Sequence, residues 1–523
     1  MQSYYRILLF FCGLSFVLRV PWGWGSSDSY FIPTHQLAGV GIGRKGMSDA
    51  TLKQRTALMI ESQTFAIMRD PQALPGAQRI TGPELQEIFA SAALESGFSQ
   101  LTLEAIAYLE SWGDATAQSP TGPKGIMQFT EETAKRAGLQ VIRHTDYLFE
   151  KRLVRTRKGK PIYQTYCIPV SSIVLDERLL PEKAIPAAAK YLAQLERRFG
   201  RQDWAIFAYH CGEGGVSEFR SLARKAEGLG KRPITVPKVF FGCSPAHNRD
   251  LYLAIKKHMK RDYSPTYWFR VKKAEQLLSL YRTDQKRFEQ LVRTYKHPVD
   301  ANRRAPARLW VWLASGERFY KNYEELKRVQ GTKLVKAFDT PDVFGFWLCK
   351  SGHEAIAEKE LEDPELFLHA SPSAIGALTY IAFETRRLHE AMGITGETFV
   401  PLEVTTLVRT LEYQKQLDRL TPNARTIFPI YCTGQVFDLS YLHLPPGQRE
   451  CLEFVVDDLG WLGALGFRPD PLAGKMQEVG SSPATKPFFE KIYQEAYTNH
   501  RLVEGRTLKT VQKVSTPLER AEE

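Results

Sequence analysis

The chain has 523 residues, of which 43% are hydrophobic and 24% charged, and a formal charge of +12. That length suits about three domains, and the composition excludes a largely disordered chain, a collagen-like repeat and a polytopic membrane protein. The positive balance asks for an anionic neighbourhood (nucleic acid, a membrane surface or a cell-wall polymer), and the seven cysteines, with no C-x-x-C pair, spell neither a small disulfide scaffold nor a zinc cluster.

Met1–Gly25 joins a weakly positive start at Arg6, an apolar run from Ile7 to Leu18, and small residues at Gly23 and Gly25. This is the layout of a secretory signal peptide. The run is shorter than the roughly 20 residues needed to span a bilayer; the alternative is an uncleaved anchor, and membrane association is expected only through this segment. The chain is therefore expected to be exported, to the periplasm or cell envelope. There Cys167, Cys211, Cys243, Cys349, Cys432 and Cys451 would be permitted disulfides, in pairings that sequence leaves open. Residues 26–82 form an N-terminal extension, helical through Thr51–Arg69.

Thr81-Gly82-Pro83-Glu84 opens a helix, with Pro early and an acid in the first turn. Residues 83–275 read as short amphipathic helices, interrupted at Arg152–Leu175 by a β-hairpin around Lys158-Gly159-Lys160-Pro161. Residues 276–395 read as a helical spacer, 396–472 as a small mixed α+β domain, and 473–523 as a polar tail with a helical patch at Pro487–Tyr497. The fold class is mainly α.

The chemistry starts at Leu101–Gly113. Leu103, Ile106, Ala107 and Glu110 share one helical face, and Gly113 is a natural stop. An apolar face and the negative end of a helix both favour a neutral carboxyl group, the state a general acid needs. Downstream lie Ser119, then Gly122-Pro123-Lys124-Gly125-Ile126-Met127-Gln128-Phe129, then Asp176-Glu177-Arg178, and finally Phe207-Ala208-Tyr209-His210-Cys211-Gly212-Glu213.

This ordered set resembles the catalytic domain of family 1 lytic transglycosylases, the Slt and membrane-bound D type, over residues 83–275. The resemblance implies a goose-type lysozyme-like helical domain that acts on peptidoglycan glycan strands without a cofactor or metal. It makes Glu110 the single catalytic acid/base, and makes Ser119, Met127, Gln128 and Tyr209 residues of the sugar cleft. Tyr267, in Asp262–Tyr267, matches the family's last cleft tyrosine. His210 stands where the family usually has Asn, and is either a cleft hydrogen-bonding group or a packed or exposed histidine. Glu213 stands where Pro is common; a carboxylate there could position water and make the outcome hydrolytic. A muramidase-type hydrolase and a non-catalytic wall-binding scaffold are the alternatives.

Lys151–Lys160, KRLVRTRKGK, holds six basic residues and no acid. It reads either as a solvated face or as a contact for anionic wall polymers. No module supports nucleic-acid binding. In the C-terminal half, Tyr431-Cys432-Thr433-Gly434-Gln435-Val436-Phe437-Asp438 resembles a degenerate M15-type D,D-carboxypeptidase. Tyr431 takes the first histidine position there, so zinc catalysis is not expected. Binding of wall peptides is.

Overall fold

A computed structural model describes residues 47–503 apart from 156–158, 160, 230–232, 261–263, 297–311, 313–317, 338–345, 349–363, 421–429 and 470–475. The signal segment 1–25, Cys349, Lys158, Lys160, Asp262 and Tyr263 lie outside the described residues.

Helices dominate the first half. Asp49–Ser62, Thr64–Met68 and Ala73–Ile80 lead into Pro83–Ser96, which opens with Pro83 in its first turn. Next comes Gln100–Ser111, capped where the Ser99 side chain accepts from the Thr102 amide. Its apolar stripe (Leu103, Ile106, Ala107) is fully buried. The helix ends at Ser111, two residues before Gly113, because Trp112 itself takes the left-handed conformation at φ 54°. Tyr108 packs edge-on against the Trp112 ring at 4.7 Å, and the Arg79 guanidinium donates to the Trp112 carbonyl at 2.9 Å.

Helix Tyr267–Thr283 lies along Gln100–Ser111 and is tied to it by side chains. Thr102 donates to Glu275 at 2.7 Å, and Arg282 pairs with the fully buried Glu104 at 2.7 Å. A buried carboxylate needs such a partner, since an unpaired one would cost several kcal/mol. The clamp sets Tyr267, at the start of its helix, against the end of the other.

The hairpin is longer than the sequence pattern indicates. Strand β1 (Val141–Arg155) pairs antiparallel with β2 (Pro161–Asp176), from Val141 opposite Asp176 out to Arg155 opposite Pro161. Its first ten residues mix charged and apolar side chains on both faces, so no period-2 alternation marks them as strand.

The spacer and tail expected over 276–395 and 473–523 hold more than helix and polar chain. Residues Phe346–Leu348 (β3) pair in parallel with Leu402–Thr406 (β4). With Val436–Ser440 (β5), Leu465–Pro469 (β6) and Met476–Ser481 (β7) they build a five-stranded sheet in the order β3-β4-β5-β7-β6. Helices Pro372–Met392, Pro446–Trp461 and Lys486–Val503 pack together over it.

One continuous apolar core runs through both halves. At their junction Phe240 meets Trp461 at 4.8 Å, and Tyr252 meets Phe454 at 5.5 Å. A buried Arg55–Asp458 ion pair lies at the same junction, with the Arg55 guanidinium 4.8 Å over Phe241.

Candidate active site

Glu110 is the penultimate residue of Gln100–Ser111, and its side chain keeps 15% exposure. The buried Tyr267 hydroxyl donates to Glu110 Oε1 at 2.7 Å. His210 Nδ1 lies 3.5 Å from the same oxygen, and its ring stacks flat on Tyr267 at 4.4 Å. Three residues far apart in sequence therefore meet at one carboxylate oxygen. Burial first, then the Glu110 charge and hydrogen bond, push the Tyr267 phenol well above its ordinary range. Tyr267 thus keeps its proton and acts only as a donor here.

Tyr209 stands beside this group, half-buried. Its hydroxyl donates to the Met127 carbonyl at 2.8 Å, and its phenol is also pushed up, by burial and then by Glu110 and Tyr191. Its ring closes a triangle with Phe129 and Tyr191, the centroids 6.1–6.4 Å apart. Helix Gln202–Lys225 brings Tyr209 and His210 here and breaks immediately after at Gly212, whose φ of 78° suits glycine. The break turns Glu213 toward Arg136 and Arg198, with which it pairs, and within 3.5 Å of the Tyr191 hydroxyl.

The loop of residues 117–129 forms the other wall. Met127 is fully buried, so its main-chain carbonyl, rather than its side chain, reaches the site. Gln128 has φ 48° and donates from its side-chain amide to the carbonyls of Gly125 and Ala117 at 2.9 and 3.2 Å. Ser119 is half-buried, and its hydroxyl bonds Thr121 at 2.9 Å. Among the described residues only Trp112, Gln128 and Asn248 are non-glycines with positive φ. Two of the three flank Glu110 in the sequence and the loop, a concentration of backbone strain of the kind found at functional sites.

Two further residues hold this wall, by bonds that their sequence positions do not reveal. Ser111 donates to the Ile126 carbonyl at 2.8 Å and stitches the acid's helix to the loop. Arg178 is 2% exposed; it forks onto Asp176 and donates to the Phe129 and Gly122 carbonyls at 3.2 and 3.3 Å. The loop packs so tightly there that a Cβ on Gly125 would fall 1.7 Å from the Arg178 carbonyl oxygen. Asp176-Glu177-Arg178 was visible as a motif, but the burial of its arginine was not.

In the C-terminal sheet, Tyr431 donates to Asp438 at 2.7 Å, and both are buried. Asp438 and Glu478 are cross-strand partners on the polar face of β5 and β7, and Glu403 opposes Ser440. A hydroxyl given to Asp438 leaves Tyr431 no resemblance to a histidine ligand. Among the described residues no group of three or more His, Cys, Asp or Glu side chains is placed to hold a metal ion. The donor set does not fit a catalytic zinc.

Residues 87–151 and 168–228 match the model of the transglycosylase SLT domain. The peptidoglycan transglycosylase gp16 of Escherichia phage T7 is 38% identical over 128 residues, which cover 24% of this chain and 8% of that protein. The membrane-bound lytic murein transglycosylase F of Alcanivorax borkumensis is 25% identical over 206 residues, 36% of each chain. That of Thiobacillus denitrificans is 29% identical over 169 residues, 31% of this chain and 27% of its own. The chain thus spans a third or less of the length of most of these relatives, and the likeness is that of a domain. The region that surrounds Glu110 is a transglycosylase SLT domain.

Proposed function

We propose that the chain is a peptidoglycan lytic transglycosylase of the cell envelope, exported by its N-terminal segment. It would cleave the β-1,4 bond between N-acetylmuramic acid and N-acetylglucosamine and leave 1,6-anhydro ends. The observation that carries this reading is the partly exposed carboxyl group of Glu110, oriented by the Tyr267 hydroxyl and faced by His210.

In the first step Glu110 donates its proton to the glycosidic oxygen, and the aglycone leaves. The substrate's own N-acetyl oxygen stabilises the oxocarbenium-like centre, so a second carboxylate is unnecessary. Glu110, now anionic, takes the proton of the C6 hydroxyl as that oxygen bonds to C1 and closes the ring. Tyr267 assists the first step, because its hydrogen bond strengthens as the carboxylate forms, and it keeps the carboxylate oriented for the second. Tyr209 holds the loop wall through the Met127 carbonyl, while Ser119 and Gln128 line the sugar path. Glu213 is held by two guanidinium groups, which supports the ring-closing outcome over water activation. The C-terminal sheet, with its buried acidic face, is a non-catalytic module for wall peptides.

Digestion of purified sacculi followed by mass spectrometry of the muropeptides tests this reading. Anhydro ends are expected. Reducing ends would point to a hydrolase, and sacculi bound but undigested would point to a scaffold.

A further inference from the structure

The outer part of the hairpin is an apolar ribbon standing clear of the domain. Its base is fastened to helix Glu131–Arg136, where the Arg143 guanidinium pairs with Glu131 and holds that carboxyl well below the usual range. Beyond that point the ladder runs on to Arg155 opposite Pro161. Fifteen residues of strand extend about 50 Å. Tyr147, Phe149, Leu153 and Tyr163 are 64%, 68%, 61% and 74% exposed, and Leu148, Ile162 and Val170 are exposed as well. A two-stranded ribbon with this much apolar surface is marginal in water by itself.

The family model matches up to residue 151 and resumes at 168. Residues 152–167 therefore lie outside the match to that family model.

The two faces differ in charge. On one face Glu150 pairs with Arg152 at 2.7 Å and Asp146 with His144 at 3.1 Å, and the Arg152 guanidinium covers the Tyr166 ring. Its charges are internally matched. The other face follows the alternate residues: Arg143, Thr145, Tyr147, Phe149, Lys151, Leu153 and Arg155, opposite Pro161, Tyr163, Thr165, Cys167, Pro169, Ser171 and Ile173. It carries the Tyr147, Phe149 and Tyr163 rings together with Lys151, and no acid. Arg143, at the base, has its acidic partner on another element.

We propose that this second face docks on an anionic phospholipid surface. Tyr147, Phe149, Leu153 and Tyr163 enter the boundary between headgroups and acyl chains, where tyrosine rings are favoured. Lys151 sits at the anionic headgroups. A second copy of the chain is a poorer occupant, because segment 151–160 carries six bases and no acid in its sequence, so that two copies repel each other. A glycan strand stacks on aromatic rings but offers no apolar phase for Leu153. Since the hairpin springs from the helix next to the loop of residues 117–129, docking would hold the Glu110 cleft within a hairpin's length of the bilayer.

The test is flotation of the full chain with vesicles of phosphatidylcholine alone or mixed with phosphatidylglycerol. The wild type is expected to float with the mixed vesicles and at least about tenfold less with the neutral ones, and to release as salt rises. The F149S/Y163S pair and K151E should each lower partitioning about tenfold or more, while L148S/V170S, on the opposite face, should stay within about twofold of the wild type. All variants share the apolar run Ile7–Leu18, so a difference among them belongs to the hairpin. Undiminished flotation of F149S/Y163S, equal loss in L148S/V170S, or no flotation of the wild type would overturn the proposal. So would a dimer in sedimentation equilibrium, or sacculus binding, that F149S/Y163S abolishes without any vesicle binding.

Discussion

The chain contains the same pair twice: a carboxylate accepting a 2.7 Å hydrogen bond from a buried tyrosine hydroxyl. Glu110 with Tyr267 stands at a helix end, partly open to solvent and faced by an imidazole. Asp438 with Tyr431 is shut within the C-terminal sheet, with the Arg409 guanidinium 4.6 Å over the Tyr431 ring. Burial and the adjacent carboxylate push both phenols well up, so the local electrostatics are alike. What separates them is access and neighbours. A carboxyl group that must give a proton to a glycosidic oxygen and take one from a hydroxyl needs an open side, and only Glu110 has it. In the sheet the pair fills a structural polar site.

The largest expected effect separates the two carboxylates directly. Glu110→Gln should lower sacculus cleavage by about a thousandfold or more, as loss of a general acid does, with an unchanged melting temperature. Asp438→Ala should leave cleavage within about twofold while lowering stability by ~1–3 kcal/mol, the cost of stranding a buried donor, measured by urea unfolding.

The joint between the halves comes next. Arg55 and Asp458 are both buried, and Arg55→Ala leaves a carboxylate there without its cation. Such a change should cost about 3–5 kcal/mol in denaturant unfolding. A smaller loss would mean that the two halves unfold separately.

Tyrosine-to-phenylalanine changes sharpen the contrast further. Tyr267→Phe removes a hydrogen bond to a charged group, ~1.5–3 kcal/mol, and should slow turnover about ten- to a hundredfold. Tyr431→Phe should leave turnover unaltered and show only in the melting curve.

The smallest effect is one of pH. Asp457, on helix Pro446–Trp461, is pushed up to about 8 by burial and then by Glu453, with Lys256 opposing. The folded chain thus holds this proton more tightly than the unfolded chain does. The resulting stability is complete below the ordinary aspartate range and is lost as pH climbs through about 8. Asp457→Asn should flatten the fall in melting temperature between pH 5 and pH 9; an unchanged slope would assign it to another group.

Much of the site was legible because its residues lie in short ordered motifs. Glu110 follows an apolar helical stripe, Ser119 and Gln128 frame a glycine-rich turn, and Tyr209-His210 precede a glycine. Tyr267 is 157 residues from Glu110, and only the family resemblance pointed to it. Arg178 stands in a motif that the sequence shows, but its bonds to main-chain carbonyls, like that of Ser111, have no spacing signature. Arg55 and Asp458 are 403 residues apart and meet only through folding. The hairpin's inner half was missed because both its faces mix charge and apolar groups. Strand Phe346–Leu348 is three residues long, too short to carry a period.

The most direct test of the account is release of soluble muropeptides from purified sacculi by the wild type, Glu110→Gln and Asp438→Ala at equal folded concentration. The account predicts release by the wild type and Asp438→Ala and near-silence from Glu110→Gln. Continued release by Glu110→Gln, or its loss in a folded Asp438→Ala, would contradict it.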